Sequence, residues 1–295
     1  MEILFKYFME YANNFTNSNS EEEKEICAQN IIRIITFIES LGKNKHIKDF
    51  KKIYKNIEKK SDFNNYYIES FNKLYEYNET EKFSIDEFKY IKDIIKYIKT
   101  NYSVKYKKVE DTFLLNQFMG NDNYQNYKSK ANIIISKDVD SCCLKLTDKN
   151  LIFLEESDMP TLMHEFIHLN DFNDKYAEFP SILAELSFCS YYKLGDSSYR
   201  LLYIEETNKI TTKKFNKYNR ENCMEDLMYC LGTLLSVGFI YQNGNSFKNV
   251  EEVIKIINNY QDNDIFYVMN KLNINDNDII NGFKNYRKIL TKGWK

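Results

Sequence analysis

Residues 159–185 read MPTLMHEFIHLNDFNDKYAEFPSILAE, and the pattern inside this stretch decides how the chain is read. Pro160 suits the first turn of a helix, where its missing N–H would have no intrahelical partner, and Ser157 or Asp158 can cap that turn. On such a helix His164 and His168 stand four residues apart and share one face. Two imidazole nitrogens on successive turns can reach one zinc ion at roughly 2.0 to 2.1 Å, with the Glu165 carboxylate beside the first of them.

These residue types suit one chemistry. Zinc lowers the pKa of a water molecule and polarises a carbonyl, while a carboxylate accepts the water proton and passes it to a leaving amine. Glu165 is the expected general base. A catalytic zinc also wants a third protein ligand and an open position. Pro180 and Ser181 are expected to open a second helix, long enough to lie antiparallel to the first and to present Glu185 to the histidines. Asp171, Asp174 and Glu178 are the alternatives; Asp171 and Glu178 are equally suited to accept an imidazole N–H.

Around this stretch the chain reads as an ordinary globular protein. Its 295 residues are 43% hydrophobic, enough to bury a core. With 41 basic and 43 acidic residues spread along the chain, the formal net charge is −2, which offers no footprint for nucleic acid or an anionic membrane. The opening MEILFKYFMEYANNF holds no apolar run long enough for a signal segment or a membrane span, so a cytoplasmic protein is expected. Six scattered cysteines without a CxxC pair fit reduced thiols, with Cys142 and Cys143 as small core residues rather than nucleophiles. His46, among lysines, reads as a solvated residue.

Only 8 glycines and 2 prolines favour helices throughout. From residue 1 to about 120 the pattern is a succession of amphipathic helices, with capping boxes expected at Ser20/Glu23 and Ser84/Glu87 and a stop signal at Gly42. Between 132 and 156 the runs NIIIS, CCLKL and NLIFLEE predict a sheet of two or three strands, with a turn at Thr147-Asp148-Lys149-Asn150. Helices follow again, including MEDLMYCLGTLLSVGFIY and two terminal segments near 248–260 and 277–290. The expected architecture is mainly α: an N-terminal helical region at 1–120 and a catalytic region at 121–295, forming one continuous domain in which a small sheet precedes the HExxH helix.

The segment EFPSILAE, from Glu178 to Glu185, resembles the Glu-x-Pro-Ser-x-x-x-Glu arrangement that follows HExxH in the thimet oligopeptidase and oligopeptidase F family of zinc metallopeptidases. The resemblance covers roughly residues 130–245 and marks the chain as similar to a shortened gluzincin. It implies a zincin-like helical fold, with Glu185 as third zinc ligand and Glu178 supporting a ligating histidine. MYCLGTLL is similar to that family's Tyr-x-x-Gly helix, which implies Tyr229 as a donor to the tetrahedral oxyanion. The position of the sheet implies that NLIFLEE is an edge strand able to pair with an extended peptide. The chain departs from the family pattern at Ile167, where members carry Gly, and in having no histidine ahead of Tyr229.

The function expected from the sequence is therefore a cytoplasmic, Zn2+-dependent peptidase acting on oligopeptides through a metal-activated water. Its expected ligands are His164, His168 and Glu185, with Glu165 and Tyr229 as catalytic groups and Glu178 in support. The competing expectation is a helical binding or scaffold protein with a vestigial site.

Overall fold

A computed structural model describes residues 2–40, 50, 52, 54, 55, 59, 63, 83–102, 106–137, 139–170, 172, 174–195, 199–217, 224–259 and 264–293. Gly42, His46, Asp171 and Cys223 lie outside the described residues. The structure is mainly helical with one small sheet. Its contacts divide the chain into two units: residues 1–80 with 129–156, and residues 81–128 with 157–295. The division does not follow the change of texture near residue 120. The helices of 85–128 pack with the C-terminal half, while the sheet packs with the N-terminal helices rather than with the region expected at 121–295.

In the first unit α1 (Glu2–Asn17) and α2 (Glu21–Ser40) pack on each other. Ser20 accepts from the Glu23 amide as the capping pattern predicts, but the Glu23 carboxylate turns to the Ser18 hydroxyl, so only half of that box forms. The sheet comprises β1 (Ala131–Ile135), β2 (Cys142–Lys145) and β3 (Asn150–Leu154) in the order β1-β3-β2, with β3 parallel to β1 and antiparallel to β2. NLIFL is thus the central strand and not an edge. Leu151 to Leu154 are all buried, which suits a strand paired on both sides, whereas Ile133 and Ile135 of β1 are exposed.

Leu151 and Phe153 join Leu4, Phe8, Ile31 and Ile34 in one apolar cluster. Polar groups fix the register of the hairpin on the helices. Asp148 accepts from the Tyr11 hydroxyl at 2.5 Å and from Asn30 Nδ2 at 3.0 Å, and Asn30 Oδ1 accepts the Thr147 amide at 2.8 Å. The predicted turn at 147–150 is therefore anchored by side chains from both helices.

The second unit comprises α3 (Ile85–Ile95), α4 (Thr112–Met119), α5 (Asn121–Ser129), α6 (Met159–Ile167), a 3-10 turn (Asp174–Tyr176), α7 (Glu178–Tyr192), α8 (Tyr199–Lys209), α9 (Thr212–Lys217), α10 (Met224–Asn243), α11 (Phe247–Asn258), α12 (Ile265–Lys271) and α13 (Asp276–Lys292). The apolar helix α10 is its axis, packing against α7, α8 and α13. Close approach depends on glycine: a Cβ on Gly282 of α13 would stand 2.7 Å from the Val237 carbonyl of α10.

Glu87 joins three separate segments of this unit. It completes the capping box of α3, its Oε2 accepting the Ser84 amide at 2.7 Å, so this predicted box forms in full. Its Oε1 accepts from Lys175 Nζ at 2.5 Å and from the Ile265 amide at 3.1 Å. Both charged side chains are buried, and Lys175 lies just ahead of α7. Removing one partner strands the other charge without water, so Lys175→Met should cost about 3–5 kcal/mol of unfolding free energy in denaturant titration. Removing both charges, with Glu87→Gln added, should recover part of that loss.

Candidate metal centre

The HEFIH segment is held as a helix by its ends and its apolar sides. Asp158 is the N-cap of α6: its Oδ2 accepts the Thr161 amide at 3.3 Å and the Thr161 hydroxyl at 2.8 Å. The other oxygen accepts from the Tyr106 hydroxyl and from the Val109 amide, and the Met159 amide donates to the Val109 carbonyl at 2.8 Å. Pro160 occupies the first turn as the sequence predicts. Leu162, Met163, Phe166 and Ile167 are buried, and Phe166 meets the rings of Tyr124 and Tyr127. A helix so enclosed carries His164 and Glu165 into the interior, each only 5% exposed. His168 caps the C-terminal end and remains half-buried.

The second helix begins earlier than the sequence reading has it. α7 starts at Glu178, so Pro180 lies inside its first turn, where a missing N–H costs nothing. Glu178 and Glu185 are then seven residues apart, two turns along one face and about 10.5 Å in rise. Both reach the same imidazole. Glu178 Oε2 is 3.3 Å from His164 Nε2, while Glu185 Oε2 is 3.2 Å from His164 Nδ1.

The two Nε2 atoms of His164 and His168 are 3.0 Å apart, and Glu178 Oε1 is 3.5 Å from His168 Nε2. One ligand atom from each of His164, His168 and Glu178 lies within 4.8 Å of the others. The two short spacings run to different oxygens of Glu178, and with one atom from each side chain the group is close enough to hold a metal ion. The two carboxylates thus exchange the positions expected of them: Glu178 stands with the converging nitrogens, and Glu185 stands behind His164. The reason is the start of α7, which turns Glu178 from a loop residue into a first-turn residue facing α6. Asp174 belongs to the 3-10 turn, and the structure describes no side-chain placement for it.

The first turn of α7 is seated on α10. A Cβ on Gly232 would meet Ile182 Cδ1 at 2.8 Å and the Glu178 carbonyl at 3.2 Å, and one turn on, the Ser236 hydroxyl donates to the Phe179 carbonyl at 3.3 Å. The glycine of the predicted Tyr-x-x-Gly segment therefore sets how closely the first turn of α7, which carries Glu178, approaches α10. Tyr229, half-buried on the same helix, stacks on Tyr203 of α8 with ring centroids 4.3 Å apart. Burial, followed by the negative charge of Glu178, pushes the Tyr229 phenol up, with Glu165 adding to it.

Three features of the neighbourhood are not read from the sequence: Arg200, Tyr203 and the Tyr106 bond to Asp158. Arg200 of α8 is 2% exposed; its Nη2 donates to Glu185 Oε2 and lies 3.1 Å from His164 Nδ1. The signal for it is compositional. Only four arginines occur among the 41 basic residues, so an arginine in a lysine-rich chain marks a place where a planar guanidinium is needed.

The electrostatics suit a cation. Burial alone would lower the His164 imidazolium, but hydrogen bonds to Glu178 and Glu185 outweigh it and hold the group up at about 9. Burial would likewise raise the Glu178 carboxyl, yet the field of His168 and the bonds to both imidazoles hold it well below the usual range. Glu185 is held down against burial first by the Arg200 charge and then by His164. Burial pushes Glu165 up, offset in part by the two histidines. The two carboxylates held in their charged form, Glu178 and Glu185, are faced by one arginine, and the remaining negative charge is met by a proton on His164 or, in its place, by a bound cation.

Compared with protein-family models, curated proteins and solved structures, the chain matches none of them. No described helix is long and apolar enough to cross a membrane. The arrangement of donors makes a direct prediction. Glu178→Gln should weaken zinc binding more than Glu185→Gln, whose loss should cost about 10–100-fold in affinity, as read by competition with a chromophoric chelator. The opposite order would return the ligand role to Glu185.

Proposed function

We propose that this protein is a zinc-dependent peptidase that hydrolyses oligopeptides, with His164, His168 and Glu178 as metal ligands and Glu165 as general base. The observation that carries this reading is the convergence of His164, His168 and Glu178, one ligand atom from each lying within 4.8 Å of the others, with the two Nε2 atoms 3.0 Å apart. The zincin-like fold and the likeness of HEFIH and EFPSILAE to the thimet oligopeptidase and oligopeptidase F family belong to the same reading, with the roles of the two glutamates exchanged.

Bound at this donor set, zinc supplies a Lewis acid that makes a water molecule acidic and polarises the scissile carbonyl. The chain's own residues do the rest. Glu165, next to the first ligand and raised by burial, is suited to take the water proton and deliver it to the departing amine nitrogen. Tyr229, kept protonated beside the carboxylates, is suited to donate a hydrogen bond to the oxygen that gains negative charge. Glu185, 3.2 Å from His164 Nδ1, is suited to accept a proton there and so keep Nε2 available as the donor. No acyl-enzyme is needed, because the nucleophile is water.

The test is cleavage of a mixed peptide library by purified protein, read by mass spectrometry. Zinc-loaded wild type should cleave, a chelator should abolish cleavage, and Glu165→Gln should lower it by about 10²–10⁴-fold with zinc still bound. Absence of cleavage by the zinc-loaded wild type would contradict the peptidase reading and leave a binding role for the site.

A further inference from the structure

The guanidinium of Arg200 touches two parts of the site at once. On one side its Nη2 donates to Glu185 Oε2, the same oxygen that stands 3.2 Å from His164 Nδ1. On the other side its Cζ lies 5.7 Å from the centroid of the Tyr229 ring, within cation–π range, and Tyr229 is in turn stacked on Tyr203. Arg200 and Tyr203 are three residues apart on α8, so one face of this helix supplies both groups.

α8 is itself fixed in place. Lys92 of α3 donates to the Thr207 carbonyl at 3.1 Å near its C-terminal end, and the Thr207 hydroxyl bonds the Asp226 carbonyl of α10 at 3.1 Å. Arg200 occupies the first turn of α8, where a cation gains nothing from the helix dipole. Its position is therefore set by what it touches.

We propose that Arg200 is a positioning residue of the metal centre: it locks Glu185 against His164 Nδ1 and seats the Tyr229 ring, coupling ligand orientation to the phenol. This inference rests on the metal-site reading above. A carboxylate that only has to accept one N–H can rotate about its last torsion and release the imidazole. A carboxylate whose Oε2 is also held by the buried guanidinium, itself 3.1 Å from His164 Nδ1, is restrained, so His164 keeps the ring orientation that directs Nε2 toward His168 and Glu178. Lysine would supply the charge without the flat face that lies over the Tyr229 ring.

The experiment measures zinc affinity and thermal stability of the full chain as wild type, Arg200→Lys, Arg200→Met, Glu185→Gln and the double variant Arg200→Met with Glu185→Gln. The Co2+ absorption spectrum of each reports ligand geometry. The expected result is a loss of about 10–100-fold in zinc affinity for Arg200→Met with an altered Co2+ spectrum, and partial rescue by Arg200→Lys. The double variant leaves no stranded Glu185 charge, so it should fold even if Arg200→Met does not, and it is read against Glu185→Gln alone. Because Arg200 acts through Glu185, removing it there should cost no further zinc affinity, and a further independent loss would contradict the proposal. Wild-type affinity and an unchanged Co2+ spectrum in Arg200→Met would overturn the proposal and leave the arginine a purely structural partner of Glu185. A wild type that binds no zinc would instead overturn the metal-site reading, and the proposal with it.

Discussion

The His164 imidazole is held between two carboxylates of one helix, and most of the architecture around it can be understood as what that arrangement requires. Two glutamates seven residues apart reach opposite nitrogens of one ring here because one helix carries both on one face and lies alongside the HExxH helix. The Asp158 cap fixes where α6 starts, and Gly232 with Ser236 fixes how close the first turn of α7 comes to α10. The Glu87–Lys175 pair then holds the segment that leads into α7. Each is a separate constraint on the same turn of backbone.

Such a site is expensive to fold. Three carboxylates, an arginine and an imidazole are nearly excluded from water, in a chain that could have filled the same volume with leucine. Proteins retain buried charge clusters of this kind where a function needs them, because local rules of burial are broken mainly at functional or strained sites.

Much of this was legible in the sequence, and the reasons differ by residue. His164, Glu165 and His168 are read from the HExxH pattern, because four-residue spacing on a capped helix puts both imidazoles on one face with the carboxylate beside the first. The Ser84/Glu87 box, the sheet at 131–154 and the terminal helices follow from equally local signals. The order of Glu178 and Glu185 does not, since it depends on whether α7 begins before or after Pro180, and proline is tolerated on either side of that boundary. The central place of NLIFL in the sheet is a matter of long-range pairing, although its unbroken burial is the clue that a strand is paired on both sides. Arg200 could not be placed by spacing at all: it arrives from a different helix, and only the scarcity of arginine in the chain hints at it.

The claim most open to direct measurement is the identity of the donor set. Crystals of the zinc-loaded protein, measured on both sides of the zinc absorption edge, should show one anomalous peak about 2.0–2.2 Å from His164 Nε2, His168 Nε2 and a carboxylate oxygen of Glu178, with Glu185 still bonded to Nδ1. A peak ligated by Glu185 in place of Glu178, or no peak at the histidines, would contradict the account.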